Sequence, residues 1–299
     1  MQLTPPSQGF ASMSVFLAAA VWGIYWVPLH YIEAQGASGT WPVVLLNAPA
    51  VLAMALVALF QWKRHVGQWG RILLIGAFTG AGVALYASGL VLTTVVKATL
   101  LFYLTPIWAT AIGVIWLNEQ MNWKRVAAIV LGLVGLVLLV SDGSGISFET
   151  GDLFALASGM FWAVGASLIL HYEDTPLAGM TMGMFLAAVL VAAGLGVIAG
   201  AGGPPDMAEM LPVMPAITAI AVLVLIPVVV IVFWAQKFLF PGRVGLLMMS
   251  EVITAVLTAS LLLPEETMSP IQWAGAALVV GACLLEVLGS SEDTRTIDA

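Results

Sequence analysis

The sequence predicts an all-α membrane protein: ten transmembrane helices arranged as two inverted five-helix repeats around a central cavity. The apolar content is the first sign. Of 299 residues, 61% are hydrophobic and only 8% are charged, with a mean hydropathy of +1.06. A soluble fold of this length cannot hide that much apolar surface. The second sign is the spacing of the apolar runs, which repeatedly reach the roughly 20 residues that a helix needs to cross a hydrocarbon core. The third is the placement of the basic residues, which with ten spans fall almost all on one side.

The spans read as 12–31, 41–62, 72–92, 95–117, 123–140, 151–171, 177–199, 211–238, 244–263 and 270–288. The first is rich in aromatics; Trp22, Trp26 and His30 recur every fourth residue and share one helix face. The second carries Pro49 and is flanked by Trp41 and Trp62. The third holds Tyr86 and the small-residue pattern Gly76-x-x-x-Gly80. Only Thr93, Thr94 and Lys97 separate it from the fourth, which holds Tyr103, Pro106 and Trp108. The fifth is rich in Gly and aliphatics. The sixth carries Trp162, and the seventh a second small-residue pattern, Gly179-x-x-x-Gly183. Such patterns allow close helix contact without naming the partner. The eighth contains Pro227. The ninth contains Glu251, and the tenth contains Cys283 and Glu286.

With the N-terminus cytoplasmic, Lys63, Arg64, Arg71, Lys124, Arg125, Lys237, Arg243 and Arg295 fall inside and only Lys97 falls outside. The basic bias in short loops sets topology, so both termini are expected in the cytoplasm of a multi-pass inner-membrane protein. The acidic residues are read as decorating loops and a cytoplasmic tail at 290–299. A net charge of −7 argues against a nucleic-acid partner. One cysteine provides no disulfide framework and no cysteine metal cluster. No His pair has metal-ligand spacing, and GxSxG, HExxH, Walker and CxxC motifs are absent, so neither an enzyme nor a cofactor is expected.

The halves echo each other. Ala20-Val21-Trp22-Gly23 resembles Met160-Phe161-Trp162-Ala163, and Leu117-Asn118-Glu119 resembles Pro264-Glu265-Glu266. Five spans is an odd number, so a second copy enters the membrane upside down, an architecture that recurs in transporters with a midplane site. The expected units are 1–145 and 146–289. The order Trp22-Gly23, Tyr86-Ala-Ser-Gly-Leu, Lys97-Ala-Thr-Leu-Leu-Phe-Tyr-Leu-Thr-Pro106 and Leu117-Asn-Glu119, repeated more loosely through Trp162 and 263–275, resembles the drug/metabolite transporter superfamily, EamA type. The aromatic first span is most similar to YddG-like amino-acid exporters. The resemblance implies a cavity that opens to alternate sides, lined by helices one to four and six to nine, with five and ten outside as scaffold.

Glu251 stands out most sharply. It lies eight residues beyond Arg243, about 12 Å into the membrane. A carboxyl at that depth is costly and normally faces a cavity or a partner. It suits a substrate ammonium or proton coupling; the alternative is a structural carboxyl bonded to Ser250 or Thr254. Trp22, Trp26, His30, Tyr86, Tyr103, Trp108 and Trp162 are candidates for the cavity wall, against ordinary packing. Lys97 either snorkels at a helix end or acts at the outer mouth. Pro28 and Pro106 are candidate gating bends. His65 and His171 read as solvated loop residues. The expected function is export of a small metabolite, an aromatic or neutral amino acid, by alternating access. The partners are that solute, the bilayer and protons, and a monomer suffices. Hydrophobic drugs or nucleotide-like metabolites are the alternative cargo. An intramembrane lipid-handling enzyme is the alternative from another class.

Overall fold

The computed structural model describes residues 8–105, 108, 112, 123–139, 148–198, 203–237, 244, 247–248, 250–263 and 268–290. All regular structure among them is helical. Helices α1 (Gln8–Trp22) and α2 (Trp26–Ala34) make up the first span, followed by α3 (Trp41–Phe60) and the short α4 (Trp62–His65). Then come α5 (Trp69–Leu92), α6 (Val95–Phe102), α7 (Trp123–Leu139), α8 (Thr150–His171) and α9 (Leu177–Ile198). The chain continues through α10 (Met207–Met210), α11 (Met214–Ile220), a π turn at Ala221–Leu225, α12 (Ile226–Ala235), α13 (Ser250–Leu262) and α14 (Pro270–Ser290). Six helical stretches among the described residues are long and apolar enough to cross a membrane: Gly9–Ala34, Trp41–Phe60, Trp69–Leu92, Thr150–His171, Leu177–Ile198 and Met214–Ala235. Shorter apolar helices accompany them.

Two spans are interrupted beside their prolines. The first breaks at Gly23–Tyr25, where bonds tighten to the third residue back, as in Tyr25 N–H to the Trp22 carbonyl at 2.8 Å and Val27 N–H to the Ile24 carbonyl at 3.0 Å. Pro28, just beyond, has no N–H to give Ile24, and that carbonyl is taken by Val27 instead. The eighth span passes through a π turn immediately before Pro227. The wider turn accommodates the ring that would strike the carbonyl of Leu223 in a regular helix. Pro49, by contrast, sits inside an unbroken α3. Pro106 lies outside the described residues.

Lipid tails are as apolar as leucine, so close packing and satisfied polar groups hold such a bundle together. The packing here depends on small residues. The two glycine patterns meet each other: a Cβ on Gly76 would lie 2.5 Å from the backbone of Gly183, and one on Gly80 would lie 2.3 Å from the Met184 carbonyl oxygen. This brings α5 and α9 together backbone to backbone. α8 packs on the other side of α5, where Gly151 abuts Leu92 and Gly165 abuts Thr79. α9 also packs on α3, α1 packs on α12 and α13, and α7 and α14 pack chiefly on each other. Buried hydroxyls and amides turn back on their own helices, as in Thr79 to the Ile75 carbonyl at 2.7 Å and Asn47 to the Val43 carbonyl at 2.7 Å. Large apolar side chains such as Phe60, Leu223 and Leu261 point outward, where lipid receives them.

The ends of the bundle differ in charge. Arg71 lies over the ring of Tyr172, and Lys237 Nζ donates to the Thr175 carbonyl at 2.7 Å, so both gather where α5 begins and α8 ends. Lys97 stands at the opposite end.

Candidate functional site

A small cavity lies at the centre of the bundle. α5 contributes Gly82, Val83 and Tyr86; α1 contributes Ala19 and Trp22. Phe102, Trp162 and Met184 come from α6, α8 and α9. Val228, Val229 and Val232 from α12, with Met248 and Glu251, close it. Gly82, Trp162 and Val228 each fall near the middle of their helical spans, so the cavity sits deep between the ends. Its volume is about 30 Å³, room for about two water molecules and too little for a metabolite.

The wall is aromatic. Trp22 stacks on Tyr25 with ring centres 4.5 Å apart and planes 10° from parallel, which holds the indole as a plate. Tyr25 in turn accepts from the Asn47 amide at 3.0 Å. Trp162 packs against Phe102 at 6.4 Å and Phe233 at 6.3 Å, and Tyr86 packs against Phe102 at 4.8 Å. Gly82 leaves space for the backbone of α8, because a Cβ there would come within 3.2 Å of Trp162 N.

Among the described residues Glu251 is the one charged side chain on this wall, and it is wholly buried. Its Oε2 accepts from the Tyr103 hydroxyl at 2.8 Å. That hydroxyl has one proton and also faces the Met248 carbonyl oxygen. Oε1 has no hydrogen-bond partner. The Tyr86 hydroxyl stands beside the same carboxyl and meets Thr99 Oγ1 at 3.2 Å. The carboxyl is therefore under-satisfied: one oxygen shares a donor and the other has none. Ser250 and Thr254, the structural partners weighed from sequence, bond elsewhere, to the Phe16 carbonyl at 2.8 Å and the Ser250 carbonyl at 3.0 Å. What fixes Glu251 in place is Gly23. A Cβ there would lie 2.6 Å from the Glu251 carbonyl oxygen, so the broken first span rests directly on α13.

Of the residues singled out in sequence, the cavity gathers Trp22, Tyr86, Trp162 and Glu251, with Tyr103 one bond behind. Trp26 and His30 lie apart from it. The Trp26 indole donates to Thr258 Oγ1 at 3.1 Å, and His30 Nδ1 lies 3.1 Å from the Trp26 carbonyl. Trp108 is half-buried and its Nε1 has no hydrogen-bond partner. Pro28 follows the break in the first span. Phe102, Met248 and the three valines of α12 were not anticipated, because apolar residues in an apolar span carry no mark of which face they line.

Lys97 does not snorkel. It is buried, and its Nζ lies 3.2 Å from Asp152 Oδ2. Asp152 is wholly buried two residues into α8, not a loop decoration as read from sequence. It also accepts from the Thr93 hydroxyl at 2.7 Å and from the Glu149 backbone N–H at 3.0 Å. Thr94 caps α6 by accepting from the Lys97 N–H at 3.2 Å. Together these groups tie the α5–α6 corner to the start of α8 at one end of the bundle. The signal in sequence was a carboxylate inside the span 151–171, but at its polar edge, just after Glu149 and Thr150. His65 is a second correction. It is buried, not solvated, with Nδ1 2.9 Å from the Gln61 carbonyl and its ring against Gly179 of α9. His171 is exposed.

The model of the EamA-like transporter family matches the chain twice, over residues 9–141 and 149–288. An uncharacterized transporter of Archaeoglobus fulgidus is 28% identical over 156 residues, 52% of this chain and 54% of that protein. The uncharacterized transporter YyaM of Bacillus subtilis is 29% identical over 113 residues, 36% of this chain and 37% of that protein. The chain thus matches about half the length of the first and about a third of the second. A solved crystal structure with 21% identity superposes with a TM-score of 0.61, covering 96% of this chain and 99% of its own. At that identity the likeness concerns the fold alone.

Proposed function

Because the chain belongs to the EamA-like transporter family, we propose that it is a secondary transporter that moves a small amphipathic metabolite across the cytoplasmic membrane by alternating access. The observation that carries this reading is the small aromatic-lined cavity deep in the bundle, holding one under-satisfied carboxyl. At about 30 Å³ it is too small for a solute as it stands, so the helices around it must part to admit one.

The moving parts are two inverted five-helix halves, 1–145 and 146–289. Support for the duplication comes from the two successive matches of one family model. Support for a two-fold relation between the halves comes from contacts that repeat when the halves are exchanged. α1 packs on α12 as α8 packs on α5, and α1 packs on α13 as α8 packs on α6. An odd number of spans per half, ten in all, makes the relation an inversion with both termini in the cytoplasm. One chain supplies both halves of the site, so a monomer suffices. The resemblance to amino-acid exporters gives outward transport as the direction, with Glu251 as the group for ammonium binding or proton coupling. Lys97 and Asp152 hold the outer end.

The test is counterflow in proteoliposomes with a labelled panel of amino acids, amines, carboxylates and nucleosides, with and without an imposed pH gradient. Saturable exchange of any one class is the expected result. Acceleration by the gradient, abolished in Glu251→Gln, assigns proton coupling to that carboxyl. A folded protein that exchanges nothing in the panel overturns the reading.

A further inference from the structure

Among the described residues the central cavity has one charge to offer and none to match a second. Glu251 is buried on its wall, with Oε1 making no hydrogen bond, the Tyr86 hydroxyl standing beside the carboxyl, and Oε2 sharing the single proton of Tyr103. No basic side chain among the described residues lines the cavity, and the buried Lys97 is committed to Asp152 at the end of the bundle. The rest of the lining is apolar and aromatic, with the Trp22 plate fixed by its stack on Tyr25. A buried carboxylate with a missing donor is stabilised by a cation that brings an N–H. Aromatic faces nearby stabilise the same cation and its apolar body. A zwitterion would bring a second carboxylate with no basic partner among the described lining residues, and an anion would meet Glu251 as the one charge among them.

We infer that the cavity, once widened by the parting of the helices around it, selects a protonated aromatic amine, with an N–H on Glu251 Oε1 and its ring among Trp22, Tyr86, Phe102 and Trp162, in preference to the amino acid, the acid or the quaternary ammonium of the same skeleton. The inference rests on the transporter reading for its biological sense, but the site itself is a matter of binding. It also separates two chemistries that sequence leaves together: an amino acid and an amine both need an ammonium seat, and only the first needs a carboxylate seat.

The experiment uses four compounds sharing one aromatic body: phenethylamine, its N,N,N-trimethyl derivative, phenylalanine and 3-phenylpropionate. Binding of labelled phenethylamine to the purified full chain is measured by scintillation proximity, and the other three are run as competitors. Counterflow is measured in parallel. Phenethylamine is expected to bind about tenfold or more tightly than each of the others, and Glu251→Gln to weaken it by about the same factor. Trp22→Leu, which leaves the carboxyl in place, is expected to weaken it by about threefold or more. Size-exclusion profile and melting temperature establish that the variants fold. If Glu251→Gln does not fold, the competition series and Trp22→Leu decide the matter. Phenylalanine or phenylpropionate binding as well as the amine overturns the inference, as does equal competition by the trimethyl compound or unchanged binding in a folded Glu251→Gln. Amine binding without counterflow leaves the cation site standing and removes the transport reading. Counterflow of another class with no amine binding does the reverse.

Discussion

Removing the charge of Lys97 should cost the protein far more than removing a surface lysine. Its Nζ lies 3.2 Å from Asp152 Oδ2, and both side chains are buried. At an effective dielectric of about 20, unit charges at that distance attract by about 5 kcal/mol. Desolvation of the two groups offsets a large share, so the net worth of the pair is small. The penalty appears when one partner is deleted, because Asp152 keeps its charge without compensation. Such deletions cost about 3–5 kcal/mol. Asp152 retains the Thr93 hydroxyl at 2.7 Å and the Glu149 N–H at 3.0 Å, which places Lys97→Met near the lower end, about 3 kcal/mol. In a chain of this size that is a fall in melting temperature of about 5 °C. Methionine keeps the apolar stem, so the loss reports the charge and not the volume. Adding Asp152→Asn to Lys97→Met removes the stranded charge and should recover at least about 1.5 kcal/mol relative to additivity. The assay is thermal unfolding of the four proteins of the cycle in detergent. A Lys97→Met protein that melts within about 1 °C of wild type, or a double variant that is simply additive, refutes the buried-pair account.

Four further outcomes follow from the geometry. Gly183→Ala places a methyl 2.9 Å from the Ile72 carbonyl oxygen, and Gly194→Ala meets nothing within 4 Å; thermal melts should show a loss of about 1–3 kcal/mol for the first and almost none for the second. Gly23→Ala forces α13 away at Glu251, so solute affinity in a binding assay should fall by more than the accompanying loss of stability explains. Tyr103→Phe leaves Glu251 Oε2 and the Met248 carbonyl without their shared donor, at a cost of about 1–3 kcal/mol in unfolding experiments. Pro227→Leu restores the missing backbone N–H beside the π turn at Ala221–Leu225; the protein should be more stable, and initial counterflow rates should drop if that turn is a hinge.

What sequence determined here, it determined through the solvent. A helix crossing hydrocarbon must satisfy its own backbone and cover itself with apolar side chains. Length, hydropathy and the sidedness of Lys and Arg therefore mark spans one at a time, and Glu251 stands out because a carboxylate in such a span is costly. The same logic was available for Asp152, yet its position two residues inside the sixth span made it look like a loop residue. Proline likewise announced that the first and eighth spans would deviate, without saying that Pro49 would be absorbed and Pro227 answered by a π turn.

The tertiary structure decided which faces meet. Between lipid-covered helices no hydrophobic gradient distinguishes inside from outside, so periodicity is nearly silent about orientation. Sequence alone could not reveal that Gly76 and Gly80 close on Gly183 and Met184, that Trp22 lines the cavity while Trp26, four residues on, bonds Thr258, or that Lys97 finds Asp152. Nor could it show that Glu251 would arrive beside Trp22 and Tyr86 with one oxygen unserved. Those are facts of packing between residues far apart in the chain, and the chemistry of the cavity is built from them.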